Sequence, residues 1–99
     1  MTGAEGATAA VTITHPVGLH ARPAVKFTKL AKTFPTVDIR LRGGADGDWI
    51  DAKSIVKVMA LRLRTGAILE IRAAGDQAAA AVDALKSLVE RDFDEGRHP

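Results

Sequence analysis

The stretch that decides the fold is VTITHPVGLHARPA, residues 11–24, which contains a strand, a break and the start of a helix. Residues 11–14 alternate apolar and β-branched polar side chains, the pattern of a strand with one face in water. Pro16 and Gly18 interrupt this strand, because proline lacks a backbone donor and glycine relaxes the limits on the backbone. The apolar periodicity that follows predicts a helix over residues 21–33, and Pro35 ends it.

Outward from this stretch, the pattern predicts three more strands and two more helices. A strand over 37–42, a turn over 43–47 and a short strand at 49–50 come first. A helix over 54–61 follows, with Ser54 or Asp51 as its cap, and then a strand over 67–73. The last helix starts at 75–76 and ends near 92–95, and its apolar stripe consists of Ala78, Val82, Leu85 and Val89. This order predicts an α+β fold, a four-stranded antiparallel sheet with three helices on one face.

Length and composition indicate one ordinary globular domain. The 99 residues are 46% hydrophobic and 26% charged, which suits a single small core. We expect a domain over residues 8–95 between flexible tails at 1–7 and 96–99. A formal charge of +2 is too weak to indicate a nucleic-acid binder. Without cysteine, a secretion signal or a bilayer-length apolar run, the chain is expected to be cytoplasmic, with no membrane insertion.

The candidate site lies where the loop becomes the first helix. His20 is placed beside the free N–H groups of the first helical turn, which favour an anion. Arg22 adds a planar fork of donors suited to phosphate oxygens, and Pro23 is tolerated because its missing N–H has no helical partner. Since a neutral imidazole nitrogen is a competent nucleophile, His20 is a candidate phosphoryl acceptor. A helix cap or a surface residue is the alternative reading of this histidine.

Two strings carry a family resemblance. GLHARPA, residues 18–24, resembles the active-site motif of the phosphocarrier HPr family of the phosphoenolpyruvate-dependent sugar phosphotransferase system. AKSIVKVMAL, residues 52–61, resembles that family's regulatory serine and the short helix after it. The resemblance covers roughly residues 11–89, and it implies the HPr-like open-faced β-sandwich, in agreement with the predicted order of elements.

The resemblance also implies a function. His20 takes a phosphoryl group on Nδ1 from enzyme I, which is charged by phosphoenolpyruvate, and passes it to an IIA-type domain. His20, Ala21 and Arg22 would bind the phosphate. The chain is then a phosphoryl-transfer intermediate and not an independent enzyme, with no cofactor, and we expect a monomer.

Docking residues follow from the same resemblance. Lys26 and Lys29 would meet acidic partner surfaces, and Ile55, Val56 and Met59 would supply an apolar patch beside them. The alternative is a solvated helix face for the lysines and core positions for the three apolar residues.

Regulation and departures from the family pattern centre on four positions. Ser54 aligns with the serine that an HPr kinase modifies in some members, although a simple helix cap explains it equally well. Val17 stands where the family often has Asn or Ser, and Arg62 where many members have Gly, which puts the turn after the short helix in question. Lys57 occurs in a subset of members, so it bears on which pathway the chain serves.

Other site classes find no support. His15, His20 and His98 do not have the spacing of a metal site, and neither a nucleophile elbow nor a P-loop string is present. Trp49 without any Tyr does not make an RNA-binding platform. Two alternatives stay open: an HPr-like regulatory binding module that controls partners through its phosphorylation state, and a non-phosphorylated binder of anions or acidic proteins.

Overall fold

The computed structural model describes residues 6–16, 18–19, 21–44 and 47–93. Its elements in chain order are β1 (Gly6–Thr12), α1 (Ala21–Ala31), β2 (Asp38–Arg42), β3 (Ile50–Asp51), α2 (Ile55–Ala60), β4 (Ile68–Ala74) and α3 (Ala78–Glu90). The predicted order of strands and helices is confirmed. None of the helices in this part of the chain has the length and apolar character needed to cross a bilayer.

The four strands form one antiparallel sheet in the order β1-β4-β2-β3. Along the central strand β4, Leu69 and Ile71 are buried, whereas Arg72 is exposed, so one face of the sheet carries the core and the other faces solvent. The predicted open-faced α+β architecture is confirmed. The core joins sheet residues to one side of each helix, and its largest fully buried members include Phe27, Ile39, Leu41, Val58, Leu69, Ile71, Leu85 and Leu88.

The first strand begins earlier than the sequence pattern indicates. Gly6 and Ala7, which were predicted to lie in the tail, pair with Ala74 and Ala73 of β4. Residues 6–10 carry almost no large apolar side chain, so this half of β1 is held mainly by backbone pairing, which leaves no alternating signal. The predicted C-terminal tail at 96–99 lies outside the described residues.

The first helix is shorter than predicted, ending at Ala31 and not at Thr33. The amides of Thr33 and Phe34 donate to the carbonyls of Leu30 and Ala31, at 3.0 and 3.1 Å, which is the tighter turn common at helix ends. Pro35 then prevents any continuation.

A lysine ties this end of α1 to the next strand. Lys53 Nζ donates to the carbonyls of Phe34 at 2.7 Å and Val37 at 2.8 Å, so the ammonium satisfies two loop carbonyls. Nothing in the local sequence around Lys53 indicates this role.

Ser54 caps α2, as predicted. Its backbone is extended (φ −102°, ψ 111°), and its side chain accepts a hydrogen bond from Lys57 N at 3.3 Å. The other candidate, Asp51, is not the cap, because it lies at the end of β3 and its carboxylate accepts from Lys53 N at 3.0 Å in the turn before the helix.

The turn after α2 places an arginine in the left-handed region. Arg62 has φ +52°, and its amide donates to Met59 O at 3.1 Å, so the helix ends as it does when glycine follows. The departure from the family pattern at this position therefore preserves the turn and strains the backbone of one residue.

Replacing Arg62 with glycine should stabilise the fold. A non-glycine residue in the left-handed region costs about 1–2 kcal/mol, and glycine removes this cost. Glycine also gives the unfolded chain more conformational entropy, which offsets part of the gain. We therefore expect Arg62→Gly to raise the free energy of unfolding by about 0.5–1 kcal/mol. Urea denaturation measures it. The control is Arg64→Gly, an exposed arginine whose φ is not positive, where glycine should lower stability. Equal effects of the two changes would contradict the assignment of strain to Arg62.

Candidate functional site

The loop that enters α1 is pinned to the segment before β4. Gly18 N donates to His15 O and Leu19 N to Leu63 O, both at 2.9 Å. The Thr65 hydroxyl donates to His15 O at 2.6 Å and also to Pro16 O at 3.1 Å. Leu19 is buried in the core. These bonds fix the direction in which the chain enters the helix.

Gly18 is required by this close approach. Its φ is +70°, and a Cβ built on it would lie 2.5 Å from Leu63 O and 2.9 Å from the Cα of Arg64. A side chain larger than hydrogen at position 18 would clash with these backbone atoms, which cannot move aside as a flexible side chain could. Sterics alone therefore explain why the motif has glycine here, independently of any phosphate chemistry.

Two residues of the predicted motif region, His20 and Val17, lie outside the described residues. The neighbours of His20 along the chain are the buried Leu19 and the exposed Ala21, the first residue of α1. The sequence position of His20 immediately before the helix therefore matches the prediction, while its role as phosphoryl acceptor stays a proposal.

Arg22 lies in the first turn of α1 and is exposed. No hydrogen bond or ion pair joins its guanidinium to the described part of the chain. Pro23 beside it is buried and holds the turn against the core. The arginine is thus anchored by its backbone while its donors are available to a ligand.

A cavity of about 310 Å³ opens beside this turn. We call it the His15 cavity; it is lined by His15, Arg22, Pro23, Lys26, Asp92 and Phe93. The last two residues lie just after the end of α3 and were not predicted to lie near the site, because contacts between residues so far apart in the chain leave no trace in local periodicity.

The end of α3 is folded onto the site loop. Asp92 and Phe93 have φ +54° and +64°, and the amide of Phe93 donates to Leu88 O at 2.8 Å. The Thr14 hydroxyl donates to the carboxylate of Asp92, and Phe93 is buried with its ring edge-on to His15 at a centroid distance of 5.7 Å. We call this arrangement of Thr14, His15, Asp92 and Phe93 the C-terminal clasp.

Comparison with known proteins identifies the family. The profile described as "PTS HPr component phosphorylation site" matches residues 7–91. The chain belongs to the HPr family. It is 40% identical over 87 residues to the phosphocarrier protein HPr of Pseudomonas putida, covering 87% of this chain and 93% of that protein.

Two other similarities bear on fold and context. The crystal structure of HPr-C-His from Thermoanaerobacter tengcongensis superposes with a TM-score of 0.80 at 32% identity, over 94% of this chain and 99% of that one. The multiphosphoryl transfer protein of Xanthomonas campestris pv. campestris is 35% identical over 79 residues, 80% of this chain but 9% of that protein. HPr-like sequences thus occur both as small proteins and within much longer ones.

The predicted basic docking residues of this HPr-family chain are in different situations. Lys26 Nζ donates to Phe93 O at 3.0 Å and so joins α1 to the C-terminal clasp. Lys29 is exposed on α1. Lys26 therefore has a structural contact that the sequence did not indicate. Lys29 projects into solvent, and its role in docking stays a prediction.

The predicted apolar docking residues also differ. Val56 is 75% exposed and Met59 38%, whereas Ile55 is partly buried and packs against the core. Val25 on α1 is 51% exposed and was not predicted, since it lies off the apolar stripe of that helix. These exposed aliphatic side chains lie on α1 and α2, two helices that contact each other, and their role in docking stays a prediction.

Ser54 is compatible with both interpretations given above, a helix cap and a serine that a kinase modifies. Its hydroxyl caps α2, and the side chain is only partly buried, which leaves it reachable. Its modification by a kinase stays a prediction. Across the described residues, no group of three or more His, Cys, Asp and Glu side chains could hold a metal ion.

Proposed function

We propose that this chain carries a phosphoryl group on Nδ1 of His20, accepting it from enzyme I and passing it to an IIA-type domain in the cytoplasm. The match to the family's phosphorylation-site profile over residues 7–91, which contains the GLHARPA motif, is the observation that carries the proposal. The exposed Arg22 in the turn directly after His20 supports it.

The chemistry balances as an exchange between two imidazoles. The lone pair of His20 Nδ1 attacks phosphorus, and the new N–P bond forms as the N–P bond on the histidine of enzyme I breaks. The donor leaves as neutral imidazole because the other nitrogen of its ring carries a proton, and the phosphorylated ring of His20 likewise keeps the proton on Nε2, so no net proton is consumed. Arg22, with the backbone N–H of Ala21, would hold the phosphoryl oxygens through charge-assisted hydrogen bonds. The same steps in reverse load the IIA-type domain.

Partner docking would use the surface around the first turn of α1. Lys29 and Arg22 offer positive charge for acidic partner surfaces, and Val25, Val56 and Met59 offer exposed apolar area. Charge steers a fast encounter and small apolar contacts keep it brief, which suits a carrier that must leave each partner after transfer. A phosphate on Ser54, at the start of α2, would add negative charge beside Val56 and oppose acidic partners.

One labelling experiment tests the proposal. The chain is incubated with enzyme I and phosphoenolpyruvate labelled in its phosphate, and the label is then challenged with acid and with base. We expect a label that acid removes and base does not, as a phosphoramidate behaves. An unlabelled chain supports the non-phosphorylated binder, and an acid-stable label places the phosphate on a hydroxyl. Adding a IIA-type domain should then discharge the label, whereas retention would favour the regulatory module.

Replacing Arg22 with alanine should slow transfer more than it destabilises the fold. Losing one charge-assisted contact to phosphate corresponds to about a tenfold lower rate of phosphoryl acceptance. The free energy of unfolding should change by less than about 0.5 kcal/mol, since the side chain is exposed and without a described partner. Rapid-quench labelling and urea denaturation measure the two quantities. Arg40→Ala on the solvent face of the sheet removes the same charge and should leave the rate unchanged; equal rates for both variants would refute the role of Arg22.

A further inference from the structure

A second groove, of about 310 Å³, lies between α1 and α3 and shares only Lys26 with the His15 cavity. We call it the α1–α3 groove; it is lined by Lys26, Lys29, Leu30, Thr33, Leu88 and Arg91. Three of these six side chains are cations and none is a carboxylate. The charge of the lining therefore favours an anion.

The two carboxylates that flank Arg91 in sequence are paired with groups outside this lining. Glu90 Oε2 lies 3.6 Å from Lys86 Nζ. Asp92 belongs to the C-terminal clasp, where its carboxylate accepts a hydrogen bond. In the part of the chain that the structure describes, the ammonium of Lys29 has neither a hydrogen bond nor an ion pair. No described carboxylate therefore neutralises Lys29.

The floor of the α1–α3 groove is apolar and recessed. Leu30 is half-buried and Leu88 is buried in the core, and the methylene stems of Lys26 and Lys29 add apolar surface above them. The Thr33 hydroxyl already donates to Leu30 O at 2.6 Å, so the donors available to an anion are the cationic groups. A groove of this volume has the size of a small-molecule site.

We infer that the α1–α3 groove binds a small amphiphilic anion, a phosphate or carboxylate on a short alkyl chain, with its charged group on Lys29 and Arg91 and its chain over Leu30. Lys26 Nζ donates one of its three hydrogens to Phe93 O, which leaves two for the same ligand. The leucines are recessed, whereas apolar groups that enter a membrane surface must protrude. A ligand with one charged end and one apolar end satisfies both parts of the lining.

Alkyl phosphates of increasing chain length are the probes. Methyl, butyl and octyl phosphate are added at constant ionic strength, each below its critical micelle concentration, and backbone amide shifts are followed by NMR. We expect saturable shifts at Thr33 and Leu88. Octyl phosphate should bind at least about tenfold more tightly than methyl phosphate, because its chain removes more apolar surface from water. Equal affinities across the series would overturn the inference, and so would shifts confined to the turn around Arg22.

Two variants separate the charged part of the site from the apolar part. Lys29→Met keeps the aliphatic stem and removes the charge, so it should weaken all three phosphates by about tenfold. Leu30→Asn keeps a similar volume and removes the apolar floor, so it should weaken octyl phosphate by about tenfold and leave methyl phosphate unchanged. The matched control is Lys32→Met, which removes the same charge one residue beyond α1, does not line the groove and should bind as the wild type does.

Equal weakening in Lys29→Met and Lys32→Met would reduce the effect to net charge and overturn the inference. Thermal unfolding identifies a variant that does not fold, and the alkyl series on the wild-type chain then decides. Sedimentation with vesicles of anionic phosphatidylglycerol, at the ionic strength of the titrations, distinguishes a soluble ligand from a lipid surface. We expect the chain to stay in the supernatant, and sedimentation with the vesicles would overturn the inference in favour of a membrane surface.

Discussion

A chain with His20 replaced by alanine stays unlabelled after incubation with enzyme I and labelled phosphoenolpyruvate. Alanine offers no nucleophilic nitrogen, so the expected loss is complete and not a reduced rate. Labelling is measured by scintillation counting and by intact mass, where the wild type gains one phosphate. The matched control is His98→Ala, which removes a histidine far along the chain from the motif and should be labelled in full.

The contradicting outcome is specific. Label retained in His20→Ala would assign the acceptor to another group, and His15 would be the first to test because it shares a cavity with Arg22. Peptide mapping under basic conditions, in which phosphohistidine survives, would identify the residue. A circular dichroism spectrum equal to that of the wild type shows that the loss of label is chemical and not a loss of fold.

Gly18→Ala should destabilise the protein by about 2–5 kcal/mol, combining the penalty for a left-handed L-residue with the overpacking of a methyl against backbone atoms. The methyl would lie 2.5 Å from Leu63 O, so the loop or the segment before β4 must shift. Since Leu19 N donates to that same carbonyl, the shift moves the entry into α1. Chemical denaturation measures the stability loss, and amide shifts of Leu19 and Leu63 report the displacement.

Gly66→Ala separates the two contributions. Gly66 has φ +94°, but a Cβ there meets nothing within 4 Å, so only the backbone penalty applies. We expect a loss at Gly18 that exceeds the loss at Gly66 by about 1–3 kcal/mol, the usual cost of overpacking. Equal losses would show that the contact with Leu63 O relaxes freely and that Gly18 is required only for its dihedral angle.

Most elements were predictable because their side chains alternate or repeat with burial. Ile39 and Leu41 alternate with charged residues in β2, and the stripe from Ala78 to Val89 marks the buried side of α3. The hairpin of β2 and β3 follows from the glycine-rich turn between them. The first half of β1 escaped prediction because Gly6, Ala7 and Ala9 contribute backbone bonds and little apolar surface.

The candidate site was predictable only where its chemistry is local. GLHARPA indicates an anion site from adjacent residues, whereas the His15 cavity depends on Asp92 and Phe93, which lie far along the chain. The hydrogen bond from Thr14 to Asp92 spans 78 residues and the one from Lys26 to Phe93 spans 67. These pairings depend on where α3 ends relative to the sheet. The hydrophobic pattern within one segment of sequence does not predict that position.

The clasp has a practical consequence for spectroscopic work. A dye or spin probe at Asp92 or Phe93 would perturb the groups that line the His15 cavity, because Phe93 contacts both His15 and Lys26. Thr8 is exposed on β1, roughly 13 Å along the strand from Thr12. Since the chain contains no cysteine, a single Thr8→Cys thiol gives a unique attachment point from which partner binding can be followed without touching the chemistry.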